Sequence, residues 1–245
     1  MRIRDSWTVA MKDLSTFRRK SYIIYSLIAL PVILSVILPG SLLLSDREGG
    51  GLPAATLAQI LQAEFSILIM LAAILPSVIG SYSFIGEKVE KSLEPLLATP
   101  ASDEELLLGK CLAAFLPSLG ATYVAAVLFM SISDAVTYSR LGYFLFPNLT
   151  AAVTLFLAIP FACTLSVEFS VIVSSRVNDI RAAQQLGSLI ILPLVLIFLL
   201  GETGTLAIDA AHLLLISGIL FVGDLTLAFV ARATFQREEI LTKWK

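Results

Sequence analysis

Long stretches without a single charged residue dominate this chain. Ser21 to Ser45, Phe65 to Gly86, Cys111 to Ser133, Leu141 to Val167 and Ala182 to Gly201 contain no Asp, Glu, Lys or Arg. Ala210 to Ala231 is interrupted by Asp224 alone. Roughly 20 apolar residues in a helix cross a hydrocarbon core of about 30 Å. Only helices or closed barrels keep every backbone group bonded there, and barrel strands would be about half as long and would alternate. The expected fold is therefore all-α, a polytopic membrane protein with six transmembrane helices at 22–45, 57–85, 106–132, 147–173, 182–201 and 210–231. The composition agrees: 15% of residues are charged, against about 25% in soluble domains. The 245 residues read as a single transmembrane domain, 1–245, with no space for a fused soluble ATPase, kinase or receptor domain.

Basic residues set the orientation. Of the 17 Lys and Arg, 15 fall in the N-terminal segment, the 86–110 region, the Arg176–Arg181 loop and the C-terminal tail. Only Arg47 and Arg140 lie opposite. The expectation is a multi-pass protein of the cell membrane with both termini cytoplasmic and no cleavable signal peptide. The outer loops are short. One, about 46–56, holds Gly49-Gly50-Gly51 and Pro53, and a second, about 134–147, ends at Pro147. Net charge is −2, which offers no electrostatic case for nucleic acid. Cys111 and Cys163 lie in apolar runs and read as buried hydrophobes. The sequon at Asn148-Leu149-Thr150 sits at a span edge and is taken as chance. Pro31, Pro39, Pro76, Pro117, Pro160 and Pro193 fall in or beside spans, where proline is common.

Before the first span, Ile3, Trp7, Ala10, Leu14 and Phe17 recur at helical spacing. This predicts an amphipathic interfacial helix over 1–20, with Trp7, Leu14 and Phe17 on its apolar face. It can serve as a topology anchor and as an element that touches a cytoplasmic partner.

Between spans two and three, residues 86–105 carry mixed charge and a small apolar patch at Leu93, Leu96 and Leu97. Pro95 suits the first turn of a short helix, and Pro100 ends it. Ser102 with Glu105 three residues later is a capping box that opens the next helix. A loop that merely turned the chain would need none of these signals.

The run Glu87…Glu90…Ser92-Leu93-Glu94…Leu96-Leu97-Ala98-Thr99-Pro100…Glu105-Leu106…Gly109-Lys110 resembles the inner-loop signature of ABC transporter permeases of the type-2 exporter superfamily. Members typically read Gly-Thr where this chain has Lys91-Ser92. Lys12-Asp13-Leu14 before a basic cluster is similar to the family's N-terminal helix. The resemblance implies a permease subunit of an ATP-driven exporter. It would form the path as a dimer with a second permease copy, and pair with separate nucleotide-binding ATPase subunits, two per transporter. ATP and Mg would sit on the partner, with no cofactor on this chain. The loop 86–105 would hold a coupling helix, with Glu87, Glu90, Leu93, Glu94, Leu96, Leu97 and Thr99 at the ATPase interface. The sequence itself has no Gly-x-x-x-x-Gly-Lys-Ser/Thr phosphate loop.

Glu64, Glu168 and Asp224 are acids within spans. Such groups face the bundle or water, as candidate translocation-path acids or as helix–helix hydrogen-bonding groups. They keep open an alternative, an ion-coupled secondary transporter, although the chain lacks that class's internal symmetry and paired broken helices. A membrane enzyme finds no support. His212 is the single histidine, which leaves no His-Glu-x-x-His zinc motif, and Asp224 has no second aspartate at depth.

Overall fold

The computed structural model describes residues 3–19, 21–48, 53–92, 96, 99, 101–202 and 209–235, and every regular element among them is helical. α1 is Ile3–Arg19, α2 Ser21–Glu48, α3 Ala54–Val89 and α4 Asp103–Leu141. α5 is Leu149–Arg176, α6 Ile180–Ser188, α7 Leu192–Glu202 and α8 Ala210–Thr234. α6 runs into α7 through a 3-10 turn at Leu189–Ile191. Among the described residues, five helical stretches are long and apolar enough to cross a membrane: α3, α4, α5, α6 with α7, and α8. Leu27–Leu42 within α2 is a shorter apolar stretch.

α3 is the central helix, packed against α5, α4 and α6, and its apolar side chains from Leu57 to Phe84 form the middle of the core. Small residues bring it close to α5. A Cβ on Gly80 would lie 2.8 Å from the Ser170 Cβ. Ser166 Oγ donates to the Ala73 carbonyl at 2.5 Å, and Ser174 Oγ donates to that of Ser81 at 2.9 Å. Close backbone approach and interhelical hydroxyl bonds are how helices associate where lipid removes the hydrophobic drive.

The helix boundaries follow local chemistry. At the start of α4 the Ser102–Glu105 box forms: the Glu105 N–H donates to Ser102 Oγ at 3.3 Å and the Ser102 N–H to Glu105 Oε2 at 2.9 Å. α4 then runs to Leu141, through the region expected to be an outer loop, and stops at Gly142 with φ +72°. Asp134, whose charge suggested a loop, sits on the helix and accepts the N–H groups of Leu145 and Phe146 at 2.9 and 3.1 Å. The connection is thereby folded back on the helix end. In α5, a π-helical turn at Thr154–Ala158 precedes Pro160. Proline supplies no N–H and crowds the carbonyl four residues back. Tyr123 OH donates to the Leu155 carbonyl inside that turn, at 3.0 Å. The 3-10 turn before Pro193 has the same cause.

Candidate functional site

Four charged side chains, Lys12, Asp13, Glu87 and Lys110, converge where α1 crosses the end of α3 and the start of α4. Gly109 makes the crossing possible, because a Cβ there would lie 2.7 Å from the Ser6 carbonyl oxygen and from the Val9 Cβ. One residue on, Lys110 is 1% exposed. Its ammonium lies 3.1 Å from Asp13 Oδ2, 3.0 Å from Glu87 Oε2 and 2.7 Å from the Ser83 carbonyl, with the Phe84 ring centroid 4.8 Å away. An ammonium has three N–H donors, and here three acceptor oxygens surround it. Lys12 Nζ closes the group from the solvent side, 2.8 Å from Glu87 Oε1.

One cation thus holds three helices. Asp13 belongs to α1, Glu87 to α3 and Lys110 to α4. Burial pushes the Asp13 carboxyl above its usual value of 3.8, against the opposing pull of Lys110. Truncating one partner of a buried ion pair generally costs about 3–5 kcal/mol, since the other charge stays buried.

A second lysine ties α3 to α5. Lys88, also buried, donates to the carbonyls of Ser175 and Val177 at 3.3 and 3.1 Å and to Asn178 Oδ1 at 3.3 Å. These lie at the C-terminal end of α5, where unpaired carbonyls favour a cation. Immediately after it α3 ends in a Schellman motif: the Ser92 N–H bonds to the Glu87 carbonyl at 2.9 Å and the Lys91 N–H to that of Lys88 at 3.2 Å. Lys91 occupies the left-handed position, φ +55°. That position favours glycine, which accounts for the Gly-Thr expected where Lys91-Ser92 stand.

The structure distributes the sequence-predicted residues unevenly. Glu87 is 7% exposed and its carboxylate is engaged within the chain. Glu90 and Thr99 are exposed, whereas Leu96 is buried. Leu93, Glu94 and Leu97 lie outside the described residues. On α1 the buried face carries Ser6, Ala10 and Asp13; Trp7 is half exposed, and Leu14 and Phe17 are partly buried. Glu168 lies on α5 and Asp224 on α8, two helices packed against each other. Glu64 is remote from them: Ser166 lies against Ala73, and Glu64 is about two and a half turns further along α3. Among the described residues no group of three or more His, Cys, Asp or Glu is placed to hold a metal ion.

The family model described as ABC-2 family transporter protein matches residues 7–239. The chain belongs to that family. No curated protein matches it. As an ABC-2 family protein it is a multi-pass membrane permease, a class whose membrane subunit is not itself catalytic. The match takes in α1 from Trp7 onward together with the membrane helices, so the Asp13–Lys110–Glu87 clamp lies inside the family region. In the sequence Lys12-Asp13 and Gly109-Lys110 are separate pieces of a pattern; in the fold Asp13 and Lys110 meet. The signal was there in the opposite charges of Asp13 and Lys110, but 97 residues separate them.

Proposed function

We propose that this ABC-2 permease is the transmembrane half of an ATP-driven exporter. Two copies form the path across the cell membrane, each with six spans and both termini in the cytoplasm. Two separate ATPase subunits bind ATP and Mg and dock on the loop 86–105 and on α1. The observation that carries this reading is the position of the buried clamp. Glu87 and Lys110 stand at the two ends of that loop, and both bond to α1 directly or through their shared pair.

In this mechanism, nucleotide binding draws the two ATPases together and displaces the loop. A coupling helix around 93–99 receives the push, with Leu93, Glu94, Leu97 and the exposed Glu90 and Thr99 as its contact surface. Glu87 and the buried Leu96 support that surface from behind. Because Lys110 joins Asp13 and Glu87, the end of α3, the start of α4 and α1 shift together. The half-exposed Trp7, with Leu14 and Phe17, keeps α1 at the membrane surface during the movement.

The test is purification of the full chain from its native membranes in mild detergent. An ATPase subunit is expected in near equal amount, and Glu90→Lys or Glu94→Lys is expected to release it while leaving the permease folded. If the chain emerges alone under several lipid conditions, the coupling assignment fails.

A further inference from the structure

We propose that a cleft between α4, α5 and α8 is a binding site for a monovalent organic cation, an amine or quaternary ammonium with a compact apolar body. The cleft holds about 240 Å³ and is lined along its sides by Leu107 and Leu108 of α4 and by Ala228 and Ala231 of α8. That is room for a small organic molecule, since one water occupies about 30 Å³ of liquid. At one end, Arg232 Nε lies 3.9 Å from Glu104 Oε1, and both side chains are more than half exposed. At the other end stands Glu168.

The charges in the cleft do not balance. Arg232 is matched by Glu104, which leaves Glu168 with no cation of its own among the described residues. Among the described residues, Glu168 Oε2 is buried and accepts no hydrogen bond. One turn beyond Ala228 on the same face of α8, Asp224 is 7% exposed, and its buried Oδ1 likewise has no partner. Its carboxyl is within electrostatic reach of Glu168. A cleft acid with an unpartnered buried oxygen, and a second such acid one turn beyond the cleft wall, are costly inside a membrane, so the position is suited to a positive ligand. The apolar walls suit a hydrocarbon body rather than a hard divalent ion, which needs six or more oxygen ligands. An anion would meet no unpaired cation in the cleft lining, since Arg232 is matched by Glu104.

This site stands apart from the ATPase-coupling reading, because binding is measured on the permease without nucleotide. Cys111 lines the cleft, whereas Cys163 is fully buried. The experiment follows Cys111 labelling by a trimethylammonium-bearing methanethiosulfonate on the full chain in lipid nanodiscs. Benzyltrimethylammonium is added as the probe, with benzenesulfonate and benzyl alcohol as anionic and neutral comparisons. Benzyltrimethylammonium alone is expected to slow labelling, and Glu168→Gln to raise the concentration it needs at least tenfold. Ala228→Leu, which fills the cleft and keeps both acids, is expected to weaken protection by a similar factor and covers the case in which Glu168→Gln fails to fold. Equal protection by the anionic or neutral probe, unchanged protection in a folded Glu168→Gln or Ala228→Leu chain, or no protection by the cation would each overturn the assignment.

Discussion

The Ser6 carbonyl oxygen occupies the space where a Cβ on residue 109 would be, 2.7 Å from that position. α1 and α4 touch through backbone there. Gly109→Ala must therefore push α1 away from α4, because neither the Ser6 carbonyl nor the β-branched Val9 can rotate aside. Overpacking of this kind costs about 1–3 kcal/mol. A lower thermal midpoint of the purified chain, with faster proteolysis within α1, is the expected result.

Removing the clamp's cation strands the buried Asp13 carboxylate and leaves Glu87 with Lys12 alone. Lys110→Met is expected to destabilise the chain by about 3–5 kcal/mol. Adding Asp13→Asn to that variant should restore part of the loss, since one stranded charge disappears while Lys12 still pairs with Glu87. Denaturation midpoints of the two variants measure this, and a double variant no more stable than the single would contradict the pairing.

The pH response of Asp13 has a defined sign. Burial raises its carboxyl above 3.8, so the folded chain holds this proton to higher pH than the unfolded chain does. Its contribution to stability is fully present below the unfolded value and is lost as pH rises through the raised value. Wild type should therefore lose stability relative to Asp13→Asn as pH is raised from about 4 toward neutral. Thermal midpoints of the two chains across that range check it; a constant difference would exclude it.

Lys91 sits in a left-handed conformation that disfavours a side chain by roughly 1–2 kcal/mol. Lys91→Gly relieves this strain, and the greater freedom of glycine in the unfolded chain offsets part of the gain. A net stabilisation of about 0.5–1 kcal/mol is expected, read as a rise in thermal midpoint.

Lys88 satisfies three acceptors at the end of α5. Lys88→Met leaves them unpaired, at a cost of about 1–3 kcal/mol. Hydrogen exchange should speed up at Val177, which bonds to the Val173 carbonyl, and through the adjoining turn. Exchange that stays at the wild-type rate would show that the lysine is not what holds this end.

Much of this architecture was legible because its causes are local. The charge-free runs mark the apolar helices, and the Ser102–Glu105 box marks the first turn of α4. What escaped depends on contacts far apart in sequence. Asp134 and Arg140 read as loop residues, but α4 carries both, and Asp134 bonds to the connection that follows. The helical spacing puts Trp7 on the same apolar face as Ala10, yet the buried face turns toward Asp13, because Lys110 draws that acid inward. No periodicity count would place a charged residue on a helix's inner face. The acids Glu168 and Asp224 could be named from sequence, but the burial of their unpartnered oxygens depends on how the helices pack.

The uninterrupted length of α4 sets a scale for motion. Its 39 residues span about 58 Å at 1.5 Å per residue, nearly twice a hydrocarbon core of about 30 Å. Over that length a tilt of about ten degrees displaces one end by roughly 10 Å relative to the other, and Pro117 inside the helix removes one backbone bond on the way. Lys110 stands next to one end of this span, and near the other end Asp134 fixes the Leu145–Phe146 turn to the helix.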